Sequence, residues 1–478
     1  MPRKKKNKPV IQLTVESIAF EGMALARKDN LVYFVKYAVP GDVVLVRVLR
    51  KRKGYVITQL LEVLEASPLR QEAKCSYFGV CGGCSWQNLP YNEQLNWKKQ
   101  HVQDAFDRIG KIEYEELRDT LASPDIFNYR NKMEFSFGAS RWLTDEEINT
   151  DTEIQNKNFA LGLHIPGRFD KILDINLCYL QNDTGNEILA TVKQKALELE
   201  LTAYHQRDHS GFLRNLIIRS SDAYRELMLI LITQTAQTET EKEFTEWFLN
   251  DVPKLFPTVA SVVYAVNDTL SPVAQGTIKK IKGREYIKEK ILDVDFKISP
   301  FSFFQTNSRQ LNQFIGTILE RAKLNSEMTV WDLYCGTGSI TLPAARHVKK
   351  IYGFELVESS IADAKTNARM NEIENVEFHC LDLHAKDIED TMEQFEKPDL
   401  IFIDPPRAGM HKNLVELIKK INCKTIVYVS CNPATQARDC DLLRENYKVV
   451  SLQPVDMFPQ TYHVENIALL KSKNSDGD

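Results

Sequence analysis

From about residue 310 to 470 the chain repeats one unit, a short β-rich apolar run followed by a helical pattern. The runs fall near 328–334, 350–355, 375–381, 399–403 and 425–430. Such alternation leaves few ways to fold. Parallel strands need crossover connections, and the helices that make them cover both faces of the sheet. The pattern predicts a doubly wound parallel sheet of the Rossmann-like α/β class. In these sheets ligands bind beyond the carboxyl ends of the strands.

The residues at those ends carry the chemistry. The first run closes on Asp332-Leu333-Tyr334-Cys335-Gly336-Thr337-Gly338-Ser339. Glycine lets a backbone approach a ligand closely and adopt positive φ. A dinucleotide fold would place a third glycine where Leu342 stands, and a P-loop would need Gly-Lys-Ser/Thr. Neither fits. An acidic residue before a two-glycine turn is the pattern of S-adenosylmethionine-dependent methyltransferases. Glu355 closes the second run, placed for ribose hydroxyls, and Asp382 closes the third, placed near an adenine amino group. Cys335 reads as packing.

Asp404-Pro405-Pro406-Arg407 closes the fourth run. Methyltransferases that act on base amino nitrogens carry an aromatic residue where Arg407 stands, which argues against that chemistry. Asp404 is a candidate acceptor for a ring N–H. Cys431 closes the fifth run, in Val429-Ser430-Cys431-Asn432-Pro433. Uracil C5 is a poor nucleophile until a thiolate adds at C6 and generates an enolate. After methyl transfer the C5 proton must leave before the thiol is eliminated. The reaction therefore needs a nucleophile and a separate base. Glu465, just before the apolar run Ile467-Ala468-Leu469-Leu470, is the candidate base. Phe303 and Gln305, in Phe303-Phe304-Gln305-Thr306-Asn307, precede the first long helix. Phe303 suits stacking and Gln305 suits hydrogen bonding; a hydrophobic staple with a cap is the plainer reading.

The N-terminal part differs in kind. Residues 1–70 hold 14 Lys/Arg against 6 Asp/Glu, although the whole chain has a net charge of −4. Residues 1–8 form a basic tail. Short apolar runs at 10–15, 31–35, 43–48 and 55–60, separated by Gly and Pro turns, predict a small β-barrel over 9–66. Its basic cluster from Arg47 to Lys53 suits a phosphate backbone. Residues 91–110 read as a helix with Leu95, Trp97, Val102, Phe106 and Ile109 on one face. Residues 129–290 alternate short strands and helices without a catalytic signature, and Thr144–Asn158 reads as a polar insertion or long loop. No apolar run approaches the roughly 18 residues of a membrane span, and the basic N-terminus leads into no apolar signal region. A cytoplasmic protein is expected.

Nine cysteines in such a chain argue against a disulfide framework. Cys75, Cys81 and Cys84 form a C-x5-C-x2-C triplet, and Cys178 follows at a distance. Four thiolates can close an iron–sulfur cluster. Zinc competes, but the triplet lacks a second C-x2-C pair. A radical S-adenosylmethionine site would need C-x3-C-x2-C.

Taken together, these motifs resemble the RNA uracil-C5 methyltransferases, most closely the bacterial 23S ribosomal RNA branch, over about residues 10 to 470. The resemblance implies a TRAM barrel at 9–66, and a central domain of 67–90 and 123–290 with [4Fe-4S] ligands Cys75, Cys81, Cys84 and Cys178. It further implies a methyltransferase domain of 91–122 and 291–478, so that a helix 91–122 packs against the C-terminal part. Tyr129-Arg130-Asn131-Lys132 and Pro166-Gly167-Arg168-Phe169-Asp170 match family segments. S-adenosylmethionine would be held by Gln305, Tyr334, Gly336, Glu355, Asp382 and Asp404, and the uracil by Phe303, Asp404 and Arg407. Cys431 would be the nucleophile and Glu465 the base. The expected partner is 23S ribosomal RNA, with no membrane or protein partner and a monomeric state. Transfer RNA as substrate, cytosine methylation, and an RNA-binding assembly role are the rivals.

Overall fold

A computed structural model describes residues 8–150 and 154–475. The tail 1–7 and residues 151–153 of the polar stretch lie outside the described residues. Among the described residues no helix is long and apolar enough to cross a membrane.

The first sheet has six strands in the order Val10–Thr14, Val43–Lys51, Tyr55–Glu65, Leu31–Val35, Ala24–Lys28, Ser17–Ile18. The two outermost strands are successive halves of one stretch. The stretch bends between them and pairs with both ends of the sheet. Alternate residues point inward, giving a core of Leu13, Ala24, Ala26, Tyr33, Val35, Val44, Val46 and Val56. The strand Ala24–Lys28 escaped the sequence reading because its inward residues are alanines. Residues 49–53, within the basic cluster, are exposed.

The central sheet has eight strands, in the order Thr277–Gly283, Val259–Val266, Leu227–Thr233, Leu213–Ser220, Lys132–Gly138, Ala160–Ile165, Arg168–Asp174, Arg141–Trp142. The polar stretch contains a short helix, Asp145–Ile148. One apolar cluster joins Ile217, Ile230 and Val263 of this sheet to Phe296, Phe304, Phe314 and Val427, so the central and C-terminal parts share a core.

The C-terminal sheet also has eight strands, in the order Val376–Cys380, Lys350–Glu355, Thr329–Leu333, Leu400–Ile403, Thr425–Ser430, Glu465–Ser472, Tyr447–Val455, Tyr114–Leu117. The first five are parallel, as expected. The all-parallel expectation fails at Glu465–Ser472, which runs antiparallel to both neighbours. Strand order reverses between Thr329–Leu333 and Leu400–Ile403, and the carboxyl ends open a crevice there.

The helix expected over 91–122 is shorter. It runs Tyr91–Asp104, continues as a π-helical turn Ala105–Gly110, and gives way to the edge strand Tyr114–Leu117. Val102 and Phe106 of the apolar stripe read from the sequence are buried, and Leu95 and Trp97 partly so, but the buried face also takes in polar residues. Gln94, Lys98 and His101 are buried with Val102, whereas Ile109 is 57% exposed. Lys98 Nζ donates to Asp456 Oδ1 at 2.5 Å and to the Phe458 carbonyl at 3.1 Å. Gln94 exchanges hydrogen bonds with Gln460. The helix thus pins the loop 456–463 that leads into Glu465.

Both side chains of the Lys98–Asp456 pair are fully buried. Breaking a buried pair from one side costs ~3–5 kcal/mol, because the remaining charge is left uncompensated. Lys98→Met should therefore lower the urea midpoint by an equivalent amount with little change in slope. The double variant Lys98→Met/Asp456→Asn should recover part of the loss. An unchanged midpoint for Lys98→Met would contradict the assignment.

Candidate active site

The crevice at the carboxyl ends is a 550 Å³ cavity. This lies within the range of small-molecule sites. Phe303, Gln305, Tyr334, Gly336, Glu355, Asp382, Asp404, Arg407, Cys431 and Glu465 all line it. Every residue singled out for cofactor, uracil and catalysis faces this one space.

The glycine loop is shaped by backbone conformation. Tyr334, Gly336 and Gly338 all have positive φ. A Cβ on Gly338 would sit 3.1 Å from Leu342 and 3.3 Å from Phe378, whereas one on Gly336 would meet no atom within 4 Å. Gly338 is favoured by its φ of 91° and by tight packing, and Gly336 leaves open space at its Cβ position. Glu355 ties the loop to the second strand by accepting from the Gly336 amide at 3.2 Å and the Val357 amide at 2.9 Å. Tyr334 Oη lies 3.2 Å from His384 Nε2, and Asp382 accepts from the His384 amide at 2.9 Å. Asp332 is turned away from the cavity. It is buried, accepts from Thr341 Oγ1 at 2.5 Å, and burial pushes its carboxyl up to about 7. Cys335 is buried, as expected.

Cys431 and Glu465 meet because of strand register. Ser430 pairs with Asn466 across the antiparallel ladder, so the residue after one strand faces the first residue of the other. Asn466 is held in turn by Gln436, which accepts from its amide at 2.7 Å and donates to its carbonyl at 3.1 Å. Burial pushes the Cys431 thiol up to about 11. Glu465 adds to that rise, and Arg407 opposes it. Glu465 is buried, and its carboxyl is raised well above the usual range, first by burial and then by Asp404. Burial also takes Asp404 up to about 7. Among the cavity-lining residues Arg407 is the one arginine or lysine; it acts on Cys431 and Glu465, and its Nη2 lies 3.4 Å from His463 Nδ1. His463 is itself pulled down to about 4, by burial and then by Arg407. Asp439 fixes the Arg407 loop by accepting from the Met410 amide and from Tyr428 Oη, both at 2.7 Å.

Positioning of the Phe303 loop was missed from the sequence. Buried Arg219, on the central sheet, donates to the carbonyls of Ser299, Pro300 and Ser302. Asn131 donates to the Gln305 carbonyl at 2.8 Å and to Ser308 Oγ at 2.7 Å. A buried arginine in a strand gives no periodic signal. Asn131 lay within a segment already singled out, without a role.

A second, larger cavity of 1220 Å³ adjoins the first and shares Phe303, Phe304, Arg407, Phe458 and His463 with it. Cys75, Cys81, Cys84 and Cys178 line its wall. Burial raises Cys81 to about 11 and Cys84 to about 12, and Cys178 and Cys75 raise both further as like charges. The four thiols share one electrostatic neighbourhood. Among the described residues, however, no group of three or more His, Cys, Asp or Glu side chains is arranged to hold a metal ion. A ready-made metal-ligand geometry, expected from the cysteine spacing, is not what the structure shows.

A family model described as tRNA (Uracil-5-)-methyltransferase matches residues 269–473. An uncharacterized RNA methyltransferase of Bacteroides thetaiotaomicron is 43% identical over 455 residues, covering 95% of this chain and 100% of that protein. The chain belongs to the RNA uracil-C5 methyltransferase family. Another uncharacterized RNA methyltransferase, from Chlorobaculum tepidum, is 40% identical over 90% of this chain and 89% of its own length. The crystal structure of Pyrococcus abyssi tRNA (uracil-54, C5)-methyltransferase in complex with S-adenosyl-L-homocysteine superposes with a TM-score of 0.74. It is 28% identical and covers 96% of this chain and 99% of that one. Membership in this family fits a cavity that holds a thiol and a carboxylate beside a glycine loop.

The electrostatics predict how the thiol reacts in the free protein. With the thiol near 11, its thiolate fraction at pH 8 is roughly a hundredth or less of that of an unperturbed cysteine of pKa about 8.5. Iodoacetamide labelling of Cys431, followed by peptide mass spectrometry, should rise through alkaline pH. It should be faster in Glu465→Gln and slower in Arg407→Ala. Labelling with an ordinary midpoint, indifferent to both changes, would contradict this picture.

Proposed function

We propose that this chain transfers a methyl group from S-adenosylmethionine to C5 of one uridine in 23S ribosomal RNA through a covalent adduct at C6. The observation that carries the reading is the meeting of Cys431 and Glu465 in the cavity that also contains the glycine loop. S-adenosylmethionine supplies an electrophilic methyl group. Gly336, Tyr334 and Gln305 frame its place, Glu355 and Asp382 suit its ribose and adenine, and Asp404 borders it.

Phe303 stacks on the uracil, and Asp404 and Arg407 hold its polar edge. The Cys431 thiolate adds to C6, and the electron pair displaced from the C5–C6 bond is delocalised onto the uracil carbonyl oxygen. C5 then takes the methyl group as the methyl–sulfur bond breaks, its electron pair staying on sulfur and leaving S-adenosylhomocysteine. Glu465 removes the proton left on C5, the C5–C6 double bond re-forms, and Cys431 leaves as thiolate. A carboxylate whose pKa is raised by burial is the stronger base for this task. Arg407 lies where it favours both anionic groups. The uridine must leave its stack to reach this depth.

The six-stranded N-terminal sheet is read as a TRAM barrel whose exposed basic cluster meets the RNA backbone. The central domain comprises 67–90 and 123–290, and the methyltransferase domain 91–122 and 291–478. The four cysteines are read as [4Fe-4S] ligands. The support is a set of four desolvated thiols around one space, where a cationic cluster offsets burial of thiolates. Bound there, it would tie the loop 75–84 to Cys178. The protein is read as a cytoplasmic monomer. Transfer RNA is the second reading, favoured by the substrate named for the P. abyssi enzyme.

Cys431→Ala should abolish turnover, and Glu465→Gln should trap a methylated protein–RNA adduct that survives a denaturing gel. Normal multiple turnover by Cys431→Ala would overturn the covalent mechanism. Absence of an adduct would count against Glu465 as the base. Protein purified anaerobically should carry iron and sulfide close to one cluster per chain; zinc alone would remove the cluster.

A further inference from the structure

The larger cavity has features that methyl transfer alone does not use. Two of its aromatic side chains are among the most exposed large apolar groups of the protein, Phe303 at 72% and Phe169 at 68%. Phe303 stands where the two cavities meet. Phe169 belongs to the central sheet, on the strand Arg168–Asp174 just after the turn Pro166-Gly167. Its ring is backed by the Arg207 guanidinium, 6.0 Å from the centroid, and Asp170 holds that guanidinium at 2.6 Å. The ring is therefore steadied by a charged neighbour yet left open to solvent. Arg130, Lys132, Arg168 and Arg407 line the same cavity against one carboxylate, Glu134, which Lys132 already pairs at 2.6 Å. Arg130 and Arg168 have no carboxylate within ion-pair distance among the described residues, whereas Arg407 also acts on Cys431 and Glu465 of the smaller cavity.

Exposed aromatic rings interleaved with unpaired cations are what unpaired nucleotides require. The rings take up base faces, and the cations take up phosphates. We propose that Phe169 is a stacking platform for an unpaired base beside the methylated uridine, and that the part of the larger cavity away from the four cysteines takes the nucleotides flanking it. This rests on the RNA methyl-transfer reading. Pulling one uridine into the smaller cavity unstacks its neighbours, and a platform in the adjoining cavity receives one of them. The preferred substrate segment is then single-stranded rather than paired.

The test uses filter retention of a short oligouridylate and of a duplex RNA of equal length by the full-length protein. Wild type should retain the single strand more tightly. Phe169→Ala and Phe169→Leu should weaken it roughly 5- to 150-fold, and Phe169→Trp should not. Duplex retention should be indifferent to all three. The Leu variant separates stacking from plain apolar contact, since it keeps bulk without a π face. Unchanged single-strand binding by Phe169→Ala, or wild-type binding by Phe169→Leu, would overturn the platform. Methyl incorporation from labelled S-adenosylmethionine into total RNA of cells lacking the gene tests the underlying reading separately. No incorporation by wild type would overturn that reading, and with it the assignment of the stacked base as a neighbour of a methylated uridine.

Discussion

The site depends on one backbone pairing, Ser430 with Asn466. A parallel sheet sends every strand end to the same edge but brings no strand start there. Glu465–Ser472 does, because it runs back against its neighbours. That reversal is what sets a carboxylate beside the cysteine at the end of Thr425–Ser430. Gln436 and Asn466 lock the register from the buried side, and a one-residue slip would turn Glu465 to the opposite face. The approach to this strand is held from a distance. Lys98 and Gln94, on a helix more than 350 residues earlier in the chain, fix Asp456, Phe458 and Gln460.

Burial sets the resting state of the chemistry. Cys431, Asp404 and Glu465 are all raised by removal from water; Glu465 and Asp404 raise Cys431 further, and Asp404 raises Glu465. A cavity of this kind keeps Cys431 mostly as thiol. Arg407 lines both cavities and opposes the rise at Cys431 and Glu465. The loop that carries Phe303 is likewise held from the central sheet, by Arg219 and Asn131. The smaller cavity and the central sheet are thereby built as one unit around a shared apolar core.

Much of this was legible in the sequence. Strand–helix alternation gave the five parallel strands nearly to the residue, and each strand end named a cavity-lining group. Cys431 and Glu465 could be paired from the reaction they would serve, although nothing in the residues announced that the last long strand was antiparallel. Legibility failed where polarity was buried. Gln94, Lys98, Asp439 and Arg219 hold loops from inside, and a hydrophobic pattern passes over such residues. It failed also at Ala24–Lys28, where small side chains suffice for the interior of the N-terminal sheet, and at 91–122, where helix turns into strand. The cysteine spacing located four thiols on one cavity wall without fixing their mutual geometry.

The most direct measurement incubates purified protein with deuterated-methyl S-adenosylmethionine and RNA from cells lacking the gene. The 23S, 16S and transfer RNA fractions are then separated and their nucleosides analysed by mass spectrometry. The account predicts deuterated 5-methyluridine, in 23S RNA. The same label in transfer RNA would keep the chemistry and move the substrate. Label on 5-methylcytidine, or on no nucleoside, would contradict the pairing of Cys431 with Glu465 as the machinery of uracil methylation.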